Sequence, residues 1–202
     1  MQKIIKEKPQ LYGLVMIGGE SKRMQKNKAL LNYHGQAQYR FCYELLEKYC
    51  VKTFLSVQNN ATAARYGTFP KIRDLKNLAG HGPLTGIVSA FRKYPNVSWI
   101  VLACDLPFVN GETIEYLLKK RDPKKDATAF KSNYDSLPEP LCAVYEPKIQ
   151  KLFEKYIKDG SCCPRKVLIN ARTKLILAGE KHWLDNVNTP EEYKDARQKI
   201  KK

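Results

Sequence analysis

Leu11 to Ile17 is a continuously apolar run that ends in Gly18-Gly19. A short run without alternation predicts a strand covered on both faces, central in its sheet. Trp99 to Cys104 has the same character and predicts a second covered strand, with Asp105 at its carboxyl end and Pro107 ending the run. Between the two, Phe41, Cys42, Leu45, Leu46 and Tyr49 recur at helical spacing, so an amphipathic helix is predicted over 36–50. Residues 53–58 and 70–73 predict further strands. Gly82-Pro83 opens a predicted helix that runs to about Tyr94, because Pro suits a first helical turn and Pro95-Asn96 stops it. Downstream, helices are predicted over 112–120, 147–157, 164–170 and 190–199, and strands over 127–131, 140–145 and 174–177. Strand and helix signals alternate throughout, which predicts an α/β fold with a largely parallel sheet. There is no internal repeat and no linker, so one domain is expected over 1–202, with loose basic ends at 1–9 and 199–202.

Composition changes this picture little. At 202 residues, with 43% hydrophobic and 28% charged residues, the chain can bury a sizeable core and carries no low-complexity bias. No apolar run approaches the roughly 20 residues that cross a bilayer, and no secretory leader is expected. Six cysteines form no Cys-x-x-Cys pair and no metal-like spacing with His34, His81 or His182. They read as small buried hydrophobes in a reducing cytoplasm, with Cys162-Cys163 in a loop.

Charge changes it more. Thirty-six Lys and Arg against twenty Asp and Glu leave a net +16, which attracts anions. The bases are spread between apolar positions, with modest clusters at 3–8, 119–125 and 199–202, which fits solvated helix faces and not a nucleic-acid-binding arm.

Candidate chemistry begins after the first strand, in Gly18-Gly19-Glu20-Ser21-Lys22-Arg23-Met24-Gln25-Lys26-Asn27-Lys28. Paired glycines let the backbone approach a ligand and turn its amides toward phosphate oxygens. The Arg23 fork and the Lys28 point charge suit a triphosphate, although the run also reads as a strand-to-helix turn with solvated bases. It has the spacing of neither a Walker A loop nor the dinucleotide fingerprint. Asp105, a carboxylate at a strand end beside such a loop, is a candidate Mg²⁺ ligand; the alternative is a turn residue before Pro107. Asp74 reads as a turn former on spacing alone. Thr189 and Pro190 read as the cap and first residue of the last helix, which leaves Asn186 and Asn188 unexplained by capping.

The loop resembles the signature Leu-x-Gly-Gly-x-Ser-x-Arg-Met-Gly-x-x-Lys of the MobA-like nucleotidyltransferases related to molybdenum cofactor guanylyltransferase, with Gly18, Gly19, Ser21, Arg23, Met24 and Lys28 matching. The resemblance continues in order through Arg73-Asp74, Gly82-Pro83-Leu84-Thr85-Gly86, Cys104-Asp105-Leu106-Pro107, Glu139-Pro140-Leu141 and Asn186-Val187-Asn188-Thr189-Pro190-Glu191. Ile17, Gln25 and Asn27 depart from the usual residues.

This resemblance implies a three-layer α/β/α fold of the nucleotide-diphospho-sugar-transferase type. It implies transfer of GMP from GTP to the terminal phosphate of Mo-molybdopterin, with pyrophosphate released and Mg²⁺ as cofactor. Nucleotide contacts fall on Met16, Ile17, Gly18, Gly19, Ser21, Lys28, Gln58, Asp74, Gly82, Pro83, Leu84 and Asp105. Catalytic roles fall on Arg23, Lys28 and Asp105, with the metal on Asp105. Acceptor contacts fall on Glu139, Asn186 and Asn188, and Arg165, beside the start of a short helix, offers a further phosphate or pterin contact. Molybdopterin-biosynthesis proteins and apo-molybdoenzymes follow as expected partners. Gly18-Gly19 favours GTP over CTP, since cytidylyl-transferring relatives look like Leu-Ala-Ala-Gly there. The alternatives are a nucleotidyltransferase with another base or acceptor, and an idle member that binds nucleotide or delivers cofactor.

Overall fold

The computed structural model describes residues 9–18, 27–78 and 82–201. Its strands are β1 (Leu11–Met16), β2 (Lys52–Val57), β3 (Lys71–Arg73), β4 (Ser98–Ala103), β5 (Ala127–Lys131), β6 (Pro138–Tyr145) and β7 (Thr173–Leu177). Its helices are α1 (Gln38–Glu47), α2 (Asn60–Ala64), α3 (Gly82–Lys93), α4 (Gly111–Lys120), α5 (Gln150–Lys158), α6 (Pro164–Asn170) and α7 (Pro190–Ile200). Among the described residues the strands form one sheet in the order β3-β2-β1-β4-β6-β5-β7. Strand β6 is antiparallel to both neighbours, and the other pairings are parallel.

The layers follow from the alternation of side chains along each strand. Val15 of β1 and Ile100 and Leu102 of β4 pack on one face with Cys42, Leu45 and Leu46 of α1 and Ile114 and Leu117 of α4. Leu14 and Met16 of β1 and Trp99 and Val101 of β4 pack on the other with α3, α5 and α6. Both faces of the central strands are therefore covered, which is why β1 and β4 read as unbroken apolar runs. Helix α3 presents Leu84, Ile87, Val88 and Phe91 to the core at the i, i+3, i+4, i+7 spacing of one helix face.

Caps fix several helix starts. Thr189 Oγ1 accepts from the Glu192 amide while Glu192 Oε2 accepts from the Thr189 amide at 3.2 Å, with Pro190 first in α7. This reciprocal pair satisfies two donors that the helix leaves open. Asn110 and Thr113 make the same arrangement at α4.

The outer ends differ in part from expectation. Residues 199 and 200 belong to α7 and not to a loose end, because the capped helix continues through Ile200. Residues 1–8 of the expected loose segment 1–9, and residue 202, lie outside the described residues. Cys42, Cys104 and Cys142 are buried, and Cys162 and Cys163 precede α6 in a loop. Among the described residues no helix is long and apolar enough to cross a membrane.

At the amino-terminal end of β4, the mostly covered Arg121 pairs with the buried Glu146. Arg121 Nε donates to Glu146 Oε1 at 2.7 Å and its Nη2 donates to Ser98 Oγ at 2.8 Å, while Ser98 Oγ donates to Glu146 Oε2 at 2.6 Å. The three side chains close a ring in which each charge is matched.

Candidate functional site

The parallel strands β1, β2, β3 and β4 all point their carboxyl ends at one cleft of about 780 Å³. Open α/β sheets bind ligands at this edge, because loops leaving successive strands splay apart there. Its floor is a registered row: Met16 of β1 lies beside Ser56 of β2 and Ala103 of β4. The residues that follow the strands rise around it, namely Ile17 and Gly18 after β1, Gln58 and Asn59 after β2, Asp74 after β3 and Asp105 after β4. Gly18 has φ +74°, a left-handed turn that suits glycine.

The first turns of α3 close the cleft with Gly82, Pro83, Thr85 and Gly86. A methyl group on Gly86 would run into Ser56 Oγ and come within 2.9 Å of Met16 Cε, so glycine is what brings this helix against the strand ends. The loop after β3 is tied to α3 by the Leu75 amide on Ser89 Oγ at 3.0 Å and by Thr85 Oγ1 on the Leu78 carbonyl at 2.8 Å.

One expected contact is corrected here. Leu84 is fully buried in the core beneath α3 and does not line the cleft, because the helix turns its apolar face to the sheet. Ile17 is also packed in the core, so it reaches the cleft through its main chain. Gly19, Ser21 and Arg23 lie outside the described residues. Met16, Gly18, Lys28, Gln58, Asp74, Gly82, Pro83 and Asp105 all line the cleft.

Lys28 and Asp105 face each other with Nζ 3.5 Å from Oδ2. Lys28 Nζ also donates to Asn188 Oδ1 at 2.6 Å. The segment carrying Asn188 is held to β4 by the Val187 amide, which donates to the Asp105 carbonyl at 3.0 Å. Lys28 is placed by Asn27, whose Oδ1 accepts from the Ala29 amide at 3.0 Å while its Nδ2 donates to Tyr66 Oη at 2.9 Å. A carboxylate at position 27 could accept the first bond but not donate the second, which gives Asn27 a structural role where the sequence departs from the family pattern.

Asp74 is placed by its amide, which donates to the Val57 carbonyl at 2.9 Å. Its Oδ1 is buried and accepts no hydrogen bond among the described residues. Burial disfavours the charged form, so the carboxyl is pushed up to about 6.

A second cavity of about 320 Å³ adjoins the Lys28 side. It brings together Glu139, Arg165, Asn186 and Asn188, the four expected acceptor contacts. Glu139 is only 7% exposed and is not the solvated strand-end carboxylate that its position alone suggests. Its Oε1 accepts from the Leu141 amide at 2.8 Å, and Arg165 in the first turn of α6 lies 3.4 Å from its Oε2. Burial raises the Glu139 carboxyl above the usual range, while the Leu141 amide and Arg165 pull it back. Arg165 also donates to Asp135 at 2.8 Å. Asn188 belongs to this cavity and bonds Lys28 of the first, so the two meet at one ammonium and one carboxylate.

Sequence reading missed Ser56, Asn59, Thr85 and Leu141 in the first cleft and Tyr134 and Asp185 in the second. Strand register identifies Ser56 once Met16 is placed, but nothing local in the sequence marks Tyr134.

These features define an α/β protein with a cleft at the carboxyl ends of its parallel strands, joined to a second, smaller cavity. The family model for the MobA-like NTP transferase domain matches residues 13–174. The chain belongs to this family. It is 38% identical over 187 residues to the molybdenum cofactor biosynthesis bifunctional protein of Synechocystis, covering 91% of this chain but only about half, 52%, of that relative. It is 28% identical to a probable molybdenum cofactor guanylyltransferase of Clostridium perfringens, covering 90% of this chain and 93% of the relative. Among solved structures, molybdopterin-guanine dinucleotide biosynthesis protein A of Archaeoglobus fulgidus superposes with a TM-score of 0.77 at 24% identity, over 94% of this chain and 98% of that one. That likeness establishes the nucleotide-diphospho-sugar-transferase type of fold.

Proposed function

We propose that the protein is a molybdenum cofactor guanylyltransferase, which transfers GMP from GTP to the terminal phosphate of Mo-molybdopterin. The observation that carries this reading is the junction of the two cavities at Lys28, Asp105 and Asn188. A triphosphate along the first cleft and a phosphate-bearing acceptor in the second would present their reacting groups to the same ammonium. An oxygen of the acceptor phosphate forms a bond to the α-phosphorus of GTP, the bond from that phosphorus to its β-bridging oxygen breaks, and pyrophosphate leaves with the electron pair. The nucleophile is already an anion, so the protein need not remove a proton. Its work is to align two anions and offset their charge.

Lys28 neutralises charge on the phosphates, Asn188 orients Lys28, and the Gly18 turn carries the chain toward the expected loop residues Gly19, Ser21 and Arg23. The chain's net +16 favours anionic substrates in general. Asp105 would hold Mg²⁺. The donor set fits, because Mg²⁺ commonly takes one or two carboxylates and completes its shell with substrate phosphates and water. When bound it would supply Lewis-acid neutralisation of phosphate oxygens.

The test is pyrophosphate release in the presence of Mo-molybdopterin with GTP, CTP, UTP and ATP offered separately. Turnover with GTP alone is expected; turnover with CTP in its place would reassign the base, and none with any nucleotide would sink the reading.

Asp74 adds a pH signature. A bound nucleotide brings N–H or hydroxyl donors to the cleft, and a donor to Asp74 favours the ionised carboxylate. The pKa of this group in the complex then lies below the value of about 6 in the free protein. Affinity is therefore full above about pH 6 and falls as pH drops through that value, by up to about tenfold per pH unit while the complex keeps Asp74 ionised. GTP titrates in the same range, so the quantity to measure is the ratio of affinities for the protein and its Asp74→Asn variant. A ratio that stays flat from pH 7.5 to 5 would exclude a nucleotide contact at Asp74.

A further inference from the structure

Tyr134 is 81% exposed, yet it is fixed at both ends. Its hydroxyl donates to Asp185 Oδ1 at 2.8 Å and its amide donates to Ser132 Oγ at 3.2 Å. The loop that carries it is held across the second cavity by Asn133 Nδ2, which donates to the Lys181 carbonyl at 3.0 Å. It closes through Ser136 in a left-handed conformation at φ 61°, with the Ser136 amide on the Ser132 carbonyl. An exposed tyrosine ordinarily samples several rotamers. Here the hydroxyl tether and the turn hold its ring at the rim of a ligand cavity.

The cavity carries charge of both signs. Arg165 pairs with Asp135 and Glu139, Lys181 also lines the wall, and Asp185 accepts from the Tyr134 hydroxyl, while Lys28 reaches the cavity through its bond to Asn188. An anion belongs beside Lys28, and the Tyr134 ring offers a flat face to the rest of one acceptor. Residues 185 to 188 are not helical, and three extended residues span at most about 10 Å. One acceptor molecule can therefore reach from Tyr134 to Lys28.

We propose that Tyr134 is the stacking platform for the flat pterin ring of the acceptor, held in place by its bond to Asp185 while the acceptor's phosphate reaches Lys28 and Asn188. This rests on the proposed function for its acceptor. Aromatic faces recognise flat heterocycles in this way without needing a particular edge pattern, and loss of one such contact weakens binding about ten- to hundredfold.

Stacking and simple latching of the loop make different demands. Tyr134→Phe keeps the ring and loses the tether, and Tyr134→Ala loses both. Each is to be titrated with 6-hydroxymethylpterin, following quenching of the pterin fluorescence, and assayed for the KM of Mo-molybdopterin and of GTP. The expected result is quenching by the wild type, a ten- to hundredfold loss of pterin affinity and a matching rise in acceptor KM in Tyr134→Ala, a loss of threefold or less in Tyr134→Phe, and unchanged GTP KM. Three results overturn the proposal: Phe and Ala variants equally impaired, which would make Tyr134 a latch; an Ala variant unimpaired; or no quenching by the wild type. Failure of the wild type to transfer GMP would instead sink the proposed function, and the pterin titration would still read Tyr134 directly.

Discussion

Asp105→Ala is expected to slow pyrophosphate release by about 10³-fold, roughly 4 kcal/mol of transition-state stabilisation. Asp105 serves the local fold through its main chain and not its side chain. Its main-chain carbonyl accepts the Val187 amide and fixes the segment that carries Asn188, a bond the substitution leaves in place. Its carboxylate has Lys28 at 3.5 Å, too long for a strong hydrogen bond, so the fold does not depend on it. Without nucleotide, this carboxylate sits among groups otherwise suited to phosphate, an arrangement that repels a triphosphate unless a cation intervenes. Two measurements separate the roles. In excess EDTA the variant should bind GTP as tightly as the wild type or more so, since a negative charge has been removed. With Mg²⁺ the wild type should gain affinity and turnover that the variant lacks. Asp105→Asn, which keeps the shape and removes the charge, should behave like the alanine variant. Turnover within tenfold of the wild type in either variant would remove Asp105 from the chemistry.

The site was legible where one strand end carries one residue type of clear chemistry. β1 and β4 announce themselves as covered apolar runs, and the residues after them, Gly18 and Asp105, could be placed at the carboxyl edge without coordinates. Glu139, Asn186 and Asn188 came from family resemblance alone. No local pattern brings residue 139 to residue 186; that meeting is made by β6 returning antiparallel beside β4 and by the Val187–Asp105 bond. The order β6-β5-β7 was equally hidden, because strand direction depends on where the chain turns back and not on periodicity. Leu84 belongs to the Gly-Pro-Leu motif yet makes no part of the cleft wall, because the helix face that bears it turns inward. Helix α2 was missed for a different reason: five residues are too few to show a helical period, and its cap, Asn59 on the Thr62 amide, is its main local signal.

Glu146→Ala is expected to cost about 3–5 kcal/mol of folding stability, a large share of the 5–15 kcal/mol that holds an ordinary domain together. Glu146 is 2% exposed, and both of its oxygens are engaged by Arg121, with Ser98 on one of them. Removing the carboxylate strands a guanidinium in the interior without its counter-charge. Replacing both partners with Met or Leu of similar volume removes the stranded charge as well and should recover most of the loss. Urea unfolding of both single variants and the double variant reads this directly: two costly single changes and a cheap double one are expected. A single change costing under 1 kcal/mol would show that water reaches the pair. The ring of Ser98, Arg121 and Glu146 lies at the start of β4 and Asp105 follows its end, with the five strand residues after Ser98 between them, about 16 Å of extended chain. Glu146→Ala should therefore lower stability while leaving kcat unchanged at temperatures where the protein remains folded, whereas Asp105→Ala should do the reverse. The Ser98 end of this strand meets the charge pair and its other end leads to the Asp105 carboxylate, and only the second faces the junction of the two cavities.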